Sequence, residues 1–320
     1  SGVELEADRE DDGRLQVFDK RASLKDRASR VLAVGMIRRF LPAVQAARRV
    51  LDAGWIGEVV AVDANDGHDF AWSSESGTYG RPENAGVVAN VGVHAIDLVE
   101  HFFGSLTPVA YRDDWAGGVE VNATLDARAG KGIPVRFRFS YTHALENGMR
   151  IRGTRGELSL SVDPEEVKFR ALDTDLLASV KLESPYRFGD WAPGLASTMR
   201  EQLCDFQEAC IHRRSPAATA PDASRTAALI DWACSSHQPA RIGSTSVTPR
   251  LNDGRIVVTG GTEFLGGHVL EELAAQGHRD VIVPVRSYQR SANAWRFPLR
   301  LERADLLNRA VEHDDDPIRQ

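Results

Sequence analysis

Asn90 and His94 stand four residues apart in the stretch AGVVANVGVHAIDLVEHFFG, Ala85 to Gly104. Their types suit the oxidation of an alcohol or its reverse. That chemistry needs a base for the hydroxyl proton while hydride leaves the carbon, and imidazole titrates near neutrality. An amide one helical turn earlier lies on the same face and can hydrogen-bond a hydroxyl without carrying charge. A second reading makes His94 a satisfied core histidine on an apolar helix. A third makes His94, Asp97 and His101 one face of a zinc site. No other cluster supplies the remaining ligands, so no metal is expected, and Asp97 is expected in a structural hydrogen bond.

A second group is TGGTEFLGG, Thr259 to Gly267, which follows the apolar run RIVV and opens HVLEELAAQG. Strand, glycine-rich turn and helix are the context in which backbone N–H groups cradle a pyrophosphate at a helix N-terminus. Gly260, Gly261, Thr262, Phe264, Leu265 and Gly266 are the candidate contacts. Arg286, at the end of VPVRS, is placed to meet a 2′-phosphate.

The elements that must carry these groups follow from periodicity. RVLAVGM, Arg30 to Met36, reads as a buried strand. Pro42 opens a helix with Val44, Ala47, Val50 and Leu51 at helical spacing, and Gly54 ends it. EVVAVDAN is the next strand, and a long polar loop with Trp72, Tyr79 and Arg81 precedes the Asn90–His94 helix. Across 107–172, VEVNATLDA, IPVRFRFSY, MRIRGTRGELSLSV and EVKFRAL alternate apolar with polar, the pattern of an antiparallel sheet with one buried face. MREQLCDFQEACIHRR and ASRTAALIDWACSSH are amphipathic helices. ARIGSTSVTPRLNDG, Ala240 to Gly254, reads as a linker, and the residues beyond it open a parallel βαβ unit.

Composition bounds the function. The chain has 320 residues, 42% hydrophobic and 27% charged, with a net charge of −7. Such a balance is globular, and the acidic excess argues against a nucleic-acid partner. No apolar run reaches the length of a membrane span. The three cysteines form no CxxC pair and read as reduced thiols of a cytoplasmic protein. SGVELEADREDD reads as a solvated or frayed segment, and VEHDDDPIRQ, which stops soon after the strand-like PLRLERADL, reads as the end of a piece of a longer protein.

VGMIRRFLPAVQAARRVLDAGWIGEVVAVDA, the Asn90–His94 helix, MRIRGTRGELSLSV and LCDFQEACIHRRSP together resemble the C-terminal half of the Gfo/Idh/MocA oxidoreductases, in order and spacing, across about 30–240. TGGTEFLGG resembles the cofactor turn of extended short-chain dehydrogenases and NAD-dependent epimerases. The resemblance implies an α/β (α+β) fold: a substrate domain with an open, mainly antiparallel sheet plus helices, followed by a partial Rossmann βαβ unit. The expected divisions are a charged segment over 1–29, the substrate and oligomerisation domain over 30–245, a linker over 246–254, and a truncated NAD(P)-binding unit over 255–320.

The resemblance further implies hydride transfer between NAD or NADP and a hydroxyl of a sugar, cyclitol or nucleotide-sugar, and a homo-oligomer formed through the open sheet. It makes His94 and Asn90 the catalytic candidates and Arg39, Trp72 and Arg81 the substrate contacts, with Asp305 on the adenine side. The family has a carboxylate where Asn90 stands, and an EKP lysine that this sequence lacks; Lys20 in FDKRAS reads as a surface lysine. In the family's TGxxGxxG pattern Glu263 replaces the middle glycine. At about 4 Å and a dielectric near 20, its repulsion of a pyrophosphate is of order 4 kcal/mol before screening, so weak dinucleotide binding is expected. The second family's YxxxK pair does not occur in the chain. The alternative reading is a non-catalytic sugar-binding or dimerisation module derived from such an enzyme.

Overall fold

The structure, a computed structural model, describes residues 31–70, 80, 86–162, 165–174, 176–181, 193–237, 254–286, 288 and 291–304. Trp72, Tyr79, Arg81, Lys20, Asp305, the 1–29 segment and nearly all of the expected linker lie outside the described residues.

After a short 3-10 turn, Ile37–Phe40, helix α1 runs Pro42–Asp52, with Pro42 at its start and Gly54 beyond its end at φ +67°. Strand β1 is Val59–Gly67. The Asn90–His94 helix opens in a π-turn, Val88–Gly92, and continues as α2, Val93–Phe103. Seven strands follow: β2 Leu106–Asp113, β3 Asn122–Ala129, β4 Ile133–Ser140, β5 Gly148–Gly153, β6 Gly156–Val162, β7 Glu165–Ala171 and β8 Leu177–Lys181. Helices α3, Pro193–His212, and α4, Ala220–Ser235, close this part. Thr219 and Asp222 form a reciprocal capping box at the start of α4.

The eight strands make one sheet in the order β2-β3-β4-β1-β5-β6-β7-β8. Every pairing is antiparallel except β1 with β4. The expected open, mainly antiparallel sheet is thus present, and β8 extends it beyond the strands read from sequence. Period-2 patterning puts Leu125, Phe137, Phe139, Ile151 and Leu158 on the buried face, under α1, α2 and α4. The opposite face carries Asp126, Arg136, Asp63 and Arg150 as cross-strand neighbours. Arg136 pairs with Asp126 at 2.7 Å, and Arg152 with Asp63 at 3.3 Å.

RVLAVGM does not form the expected strand. Residues 31–36 take no regular structure; Val34 N–H donates to Ala218 O at 3.1 Å, and Val34 O accepts from Met36 N–H at 2.9 Å. Val34 and Met36 instead pack beside Ala218 and Ala223. An apolar run becomes a strand only beside a second strand, and none pairs with it among the described residues.

The last part is a parallel three-stranded sheet in the order β11-β10-β9: β9 Ile256–Val257, β10 Val281–Val285 and β11 Arg300–Arg303. Helix α5, Phe264–Ala275, connects β9 to β10, which is the expected βαβ opening. A one-turn helix, α6, Ala292–Trp295, precedes β11. This part is joined to the large sheet. The N–H groups of Ala116 and Gly118 donate to Arg296 O at 2.9 and 3.0 Å, and Val119 N–H donates to Trp295 O at 2.8 Å. Ala292 and Trp295 belong to the hydrophobic core of the first part.

Candidate functional site

The Asn90–His94 helix is held from below. Glu120, 2% exposed, accepts a hydrogen bond from Val88 N–H at 3.3 Å, and its backbone carbonyl accepts from Val87 N–H at 3.1 Å. These are N–H groups that a helix start leaves without intrahelical partners. Gly86 makes room for this cap, since a Cβ there would fall 2.1 Å from the Glu120 carboxylate. Gly92 lets the helix approach the Phe139 ring, which a Cβ would meet at 3.1 Å. Burial raises the Glu120 carboxyl to about 7.

Asn90 donates its side-chain N–H to the Tyr141 hydroxyl. Tyr141 is 1% exposed and follows β4. Its backbone N–H donates to Val121 O at 2.8 Å, and its carbonyl accepts from Phe70 N–H at 2.9 Å. His94 is half-buried, and its ring has no hydrogen-bond partner among the described residues. Burial, then the positive charge of Arg38, pushes its pKa down to about 3. At neutral pH the ring is therefore an uncharged acceptor. Arg38 forms a salt bridge with Asp66, a buried residue near the end of β1. Burial and Arg38 are thus the causes of the low basicity of His94.

Arg39, expected as a substrate contact, lies in the interior. It is 4% exposed, and its guanidinium meets Asp97 through Nε at 2.9 and 3.1 Å, Asp222 at 3.2 Å and the Ala217 carbonyl. It straps the 3-10 turn to α2 and to the start of α4. Asp97 is committed to that bridge, as a structural hydrogen bond. Of the other candidate substrate contacts, Trp72 and Arg81 lie outside the described residues. Sequence reasoning missed Tyr141, Glu120, Arg38 and Asp66. Arg38 left one signal, a doubled arginine of which one member is buried and the other borders the histidine.

At the second group, Gly260 has φ +70°, a conformation that favours glycine. A Cβ on Gly266 would fall 2.0 Å from Gly260 O, so α5 approaches the turn closely. Gly261 packs against Val283, which a Cβ would meet at 2.8 Å. Glu263 is the N-cap of α5, with φ −93° and ψ 172°, and its exposed side chain makes no capping bond. The extended backbone at 263 therefore does not require glycine. A phosphate fits the glycine turn and the N–H groups at the start of α5. Thr262, Phe264 and Leu265 stand along that start, Leu265 exposed. Arg286 is exposed just after β10.

Residues 44–159 match the model of the GFO/IDH/MocA C-terminal domain, and residues 256–314 that of the NAD dependent epimerase/dehydratase family. No curated protein matches the chain. Among solved structures, an oxidoreductase from Agrobacterium radiobacter in complex with NAD+, L-tartaric acid and magnesium matches at 17% identity and TM-score 0.60, over 68% of this chain and 66% of that one. A levoglucosan dehydrogenase in complex with NADH and levoglucosan matches at 17% identity and TM-score 0.57, over 68% of each chain. A 3-ketoreductase from Actinomadura kijaniata, in complex with TDP-benzene and NADP, matches at 19% identity and TM-score 0.53, over 69% of this chain and 66% of that one. The chain spans about two thirds of the length of these structures. Over 44–159 it is thus similar to GFO/IDH/MocA C-terminal domains, and over 256–314 to the NAD dependent epimerase/dehydratase family.

Proposed function

We propose that this chain is the substrate-side part of an NAD(P)-dependent oxidoreductase acting on a hydroxyl of a sugar, cyclitol or nucleotide-sugar. The observation that carries the reading is a half-buried His94 whose ring has no hydrogen-bond partner among the described residues, one turn after Asn90 on a helix held by Glu120 and Tyr141. The ring nitrogen of His94 takes the hydroxyl proton, and the Asn90 side chain orients the hydroxyl. Bound NAD or NADP supplies the hydride acceptor. The solved neighbours support a sugar or nucleotide-linked substrate through what they were solved with, levoglucosan in one and TDP-benzene in another.

The test is a dehydrogenase assay of the chain with NAD+ and NADP+ against a polyol and sugar panel. Oxidation that His94→Gln abolishes supports the reading. No turnover, with sugar binding retained by calorimetry, favours the second reading, a sugar-binding module. Two observations favour that second reading: Asn90 is already engaged by Tyr141, and a base held near 3 is weak.

We also propose that the glycine turn holds the pyrophosphate of NAD(P) through Gly260, Gly261, Thr262, Phe264, Leu265 and Gly266, with Arg286 near a 2′-phosphate and Asp305 on the adenine side. Glu263 is exposed, so solvent screening reduces its repulsion to about 1 kcal/mol. Glu263→Gly is expected to tighten NADP binding by roughly tenfold or less in calorimetry, at about 1.4 kcal/mol per decade; unchanged affinity contradicts this placement. We further propose a homo-oligomer through the open sheet face, which carries the Arg and Asp rows of β1, β3, β4 and β5, to be tested by sedimentation of wild type against Arg136→Glu. The thiols of Cys204, Cys210 and Cys234, all free, support a cytoplasmic setting. No helix among the described residues is long and apolar enough to cross a membrane.

A further inference from the structure

We infer that Trp295, carried by the epimerase-type segment, is a positioning residue for the Asn90–His94 site and acts through Tyr141. The inference rests on the functional reading above only for what that site does.

Three rings close on one another where the two parts meet. Trp295 lies edge-on to Phe70 at 4.7 Å between centroids and 70°, and edge-on to Tyr141 at 5.9 Å and 82°. Phe70 and Tyr141 complete the set at 5.1 Å and 72°. All three side chains are buried, Trp295 at 2% exposure and the other two at 1%. The hydroxyl of Tyr141 is the group that takes the Asn90 amide. Without Trp295, one wall of the Tyr141 ring faces a void, and the hydroxyl that fixes the Asn90 side chain loses its bracing.

The first part is shaped for this insertion. A Cβ on Gly118 would fall 2.1 Å from Trp295 O, and a Cβ on Gly80 would fall 2.8 Å from the Trp295 ring. Both glycines belong to the first part, and both leave the space that the segment fills. The indole is also fixed from its own side. Its Nε1–H donates to Ser291 Oγ at 2.9 Å, and Ser291 donates to Tyr288 O at 2.5 Å. The helix after the glycine turn packs against the one that carries Trp295. The epimerase-type segment thereby contributes a wall beside the first part's candidate site.

The experiment is NMR of the full chain with labelled histidine and asparagine, with His94 assigned from His94→Gln and the Asn90 side-chain amide from Asn90→Asp. Trp295→Ala is expected to shift the Asn90 amide resonances and to raise the His94 midpoint by about one unit or more as water reaches the ring. Trp295→Phe, which keeps an aromatic wall, is expected to restore both. Tyr141→Phe shifts the Asn90 amide alone, and Trp295→Ala added to it moves that amide no further, because the path runs through the hydroxyl. Should Trp295→Ala fail to fold, Trp295→Leu keeps most of the apolar volume and is read in the same way. A folded Trp295→Ala or Trp295→Leu with wild-type Asn90 and His94 signals overturns the inference. These signals need no substrate. If they move while the polyol panel shows no turnover, the positioning role stands and the enzymatic reading falls; if turnover occurs and they do not move, the reverse holds.

Discussion

Burial keeps His94 uncharged, and the neighbouring Arg38 adds to the effect. A negative charge next to it should reverse part of this. Asn90→Asp places a carboxylate one turn before the imidazole, where an opposite charge within about 4–6 Å raises a histidine by about one unit or more. The expected outcome is a higher His94 midpoint in an NMR titration and faster turnover when the chain is assayed with NADP+; an unmoved midpoint refutes the argument. Arg39 makes the complementary case. Its guanidinium is the buried partner of Asp97, so Arg39→Met leaves a carboxylate without its cation. Breaking such a pair from one side costs about 3–5 kcal/mol. Urea unfolding should show a midpoint lowered accordingly, whereas a surface arginine such as Arg300 should tolerate the same change.

The Asn90–His94 helix depends on a residue far along the chain, because its start is capped by Glu120. The Glu120 carboxyl is raised to about 7 by burial, against about 4.5 in the unfolded chain. The folded state therefore holds a proton that the unfolded state has released, and this stabilisation is complete below about 4.5 and lost as pH rises through about 7. His94 and His101, lowered to about 3 and about 4, act in the opposite direction: their contribution is present above about 6.5 and lost as pH falls. His237, raised chiefly by its hydrogen bond to Asp113, sides with Glu120. Glu120→Gln keeps an acceptor for Val88 N–H and removes the ionisation. It should raise the melting temperature above pH 7, by up to about 3 kcal/mol of stability at about 1.4 per pKa unit, and change little near pH 5. Equal effects at both pH values would rule this out. The apolar spacing of α2 was legible in the sequence, and so were Asn90 and His94 on it. Its cap was not, because Glu120 lies 32 residues from Val88 and only the fold joins them. The same limit applies to RVLAVGM and LASVK. The first has a strand's composition and no ladder partner among the described residues, and the second has little apolar pattern but pairs with β7 as an edge strand. Pairing is a property of two segments, so neither segment states it alone.

The molecule reads in sequence as two units separated by a linker, yet its packing argues for one cooperative body. Among the described residues the parallel sheet has three strands, and its own core of Val258, Leu270, Val281, Val283, Val285, Ala294 and Phe297 is small. A unit of that size buries too little apolar surface to be more than marginally stable alone. Its stability comes in part from the first unit. Trp295 and Ala292 enter the larger core, Leu301 packs against both cores, and three backbone hydrogen bonds tie 295–296 to the β2–β3 connection. Filling the space that Gly118 leaves would prise these apart, since its Cβ would meet Trp295 O at 2.1 Å. Wild-type chain should therefore melt in one calorimetric transition, with calorimetric and van't Hoff enthalpies equal. Gly118→Val should release β9–β11 into a separate, lower transition and strip hydrogen-exchange protection from 281–285 while leaving that of 135–139 intact. Two transitions in the wild type would mean that the contact contributes little, and the second unit would then fold on its own strands alone.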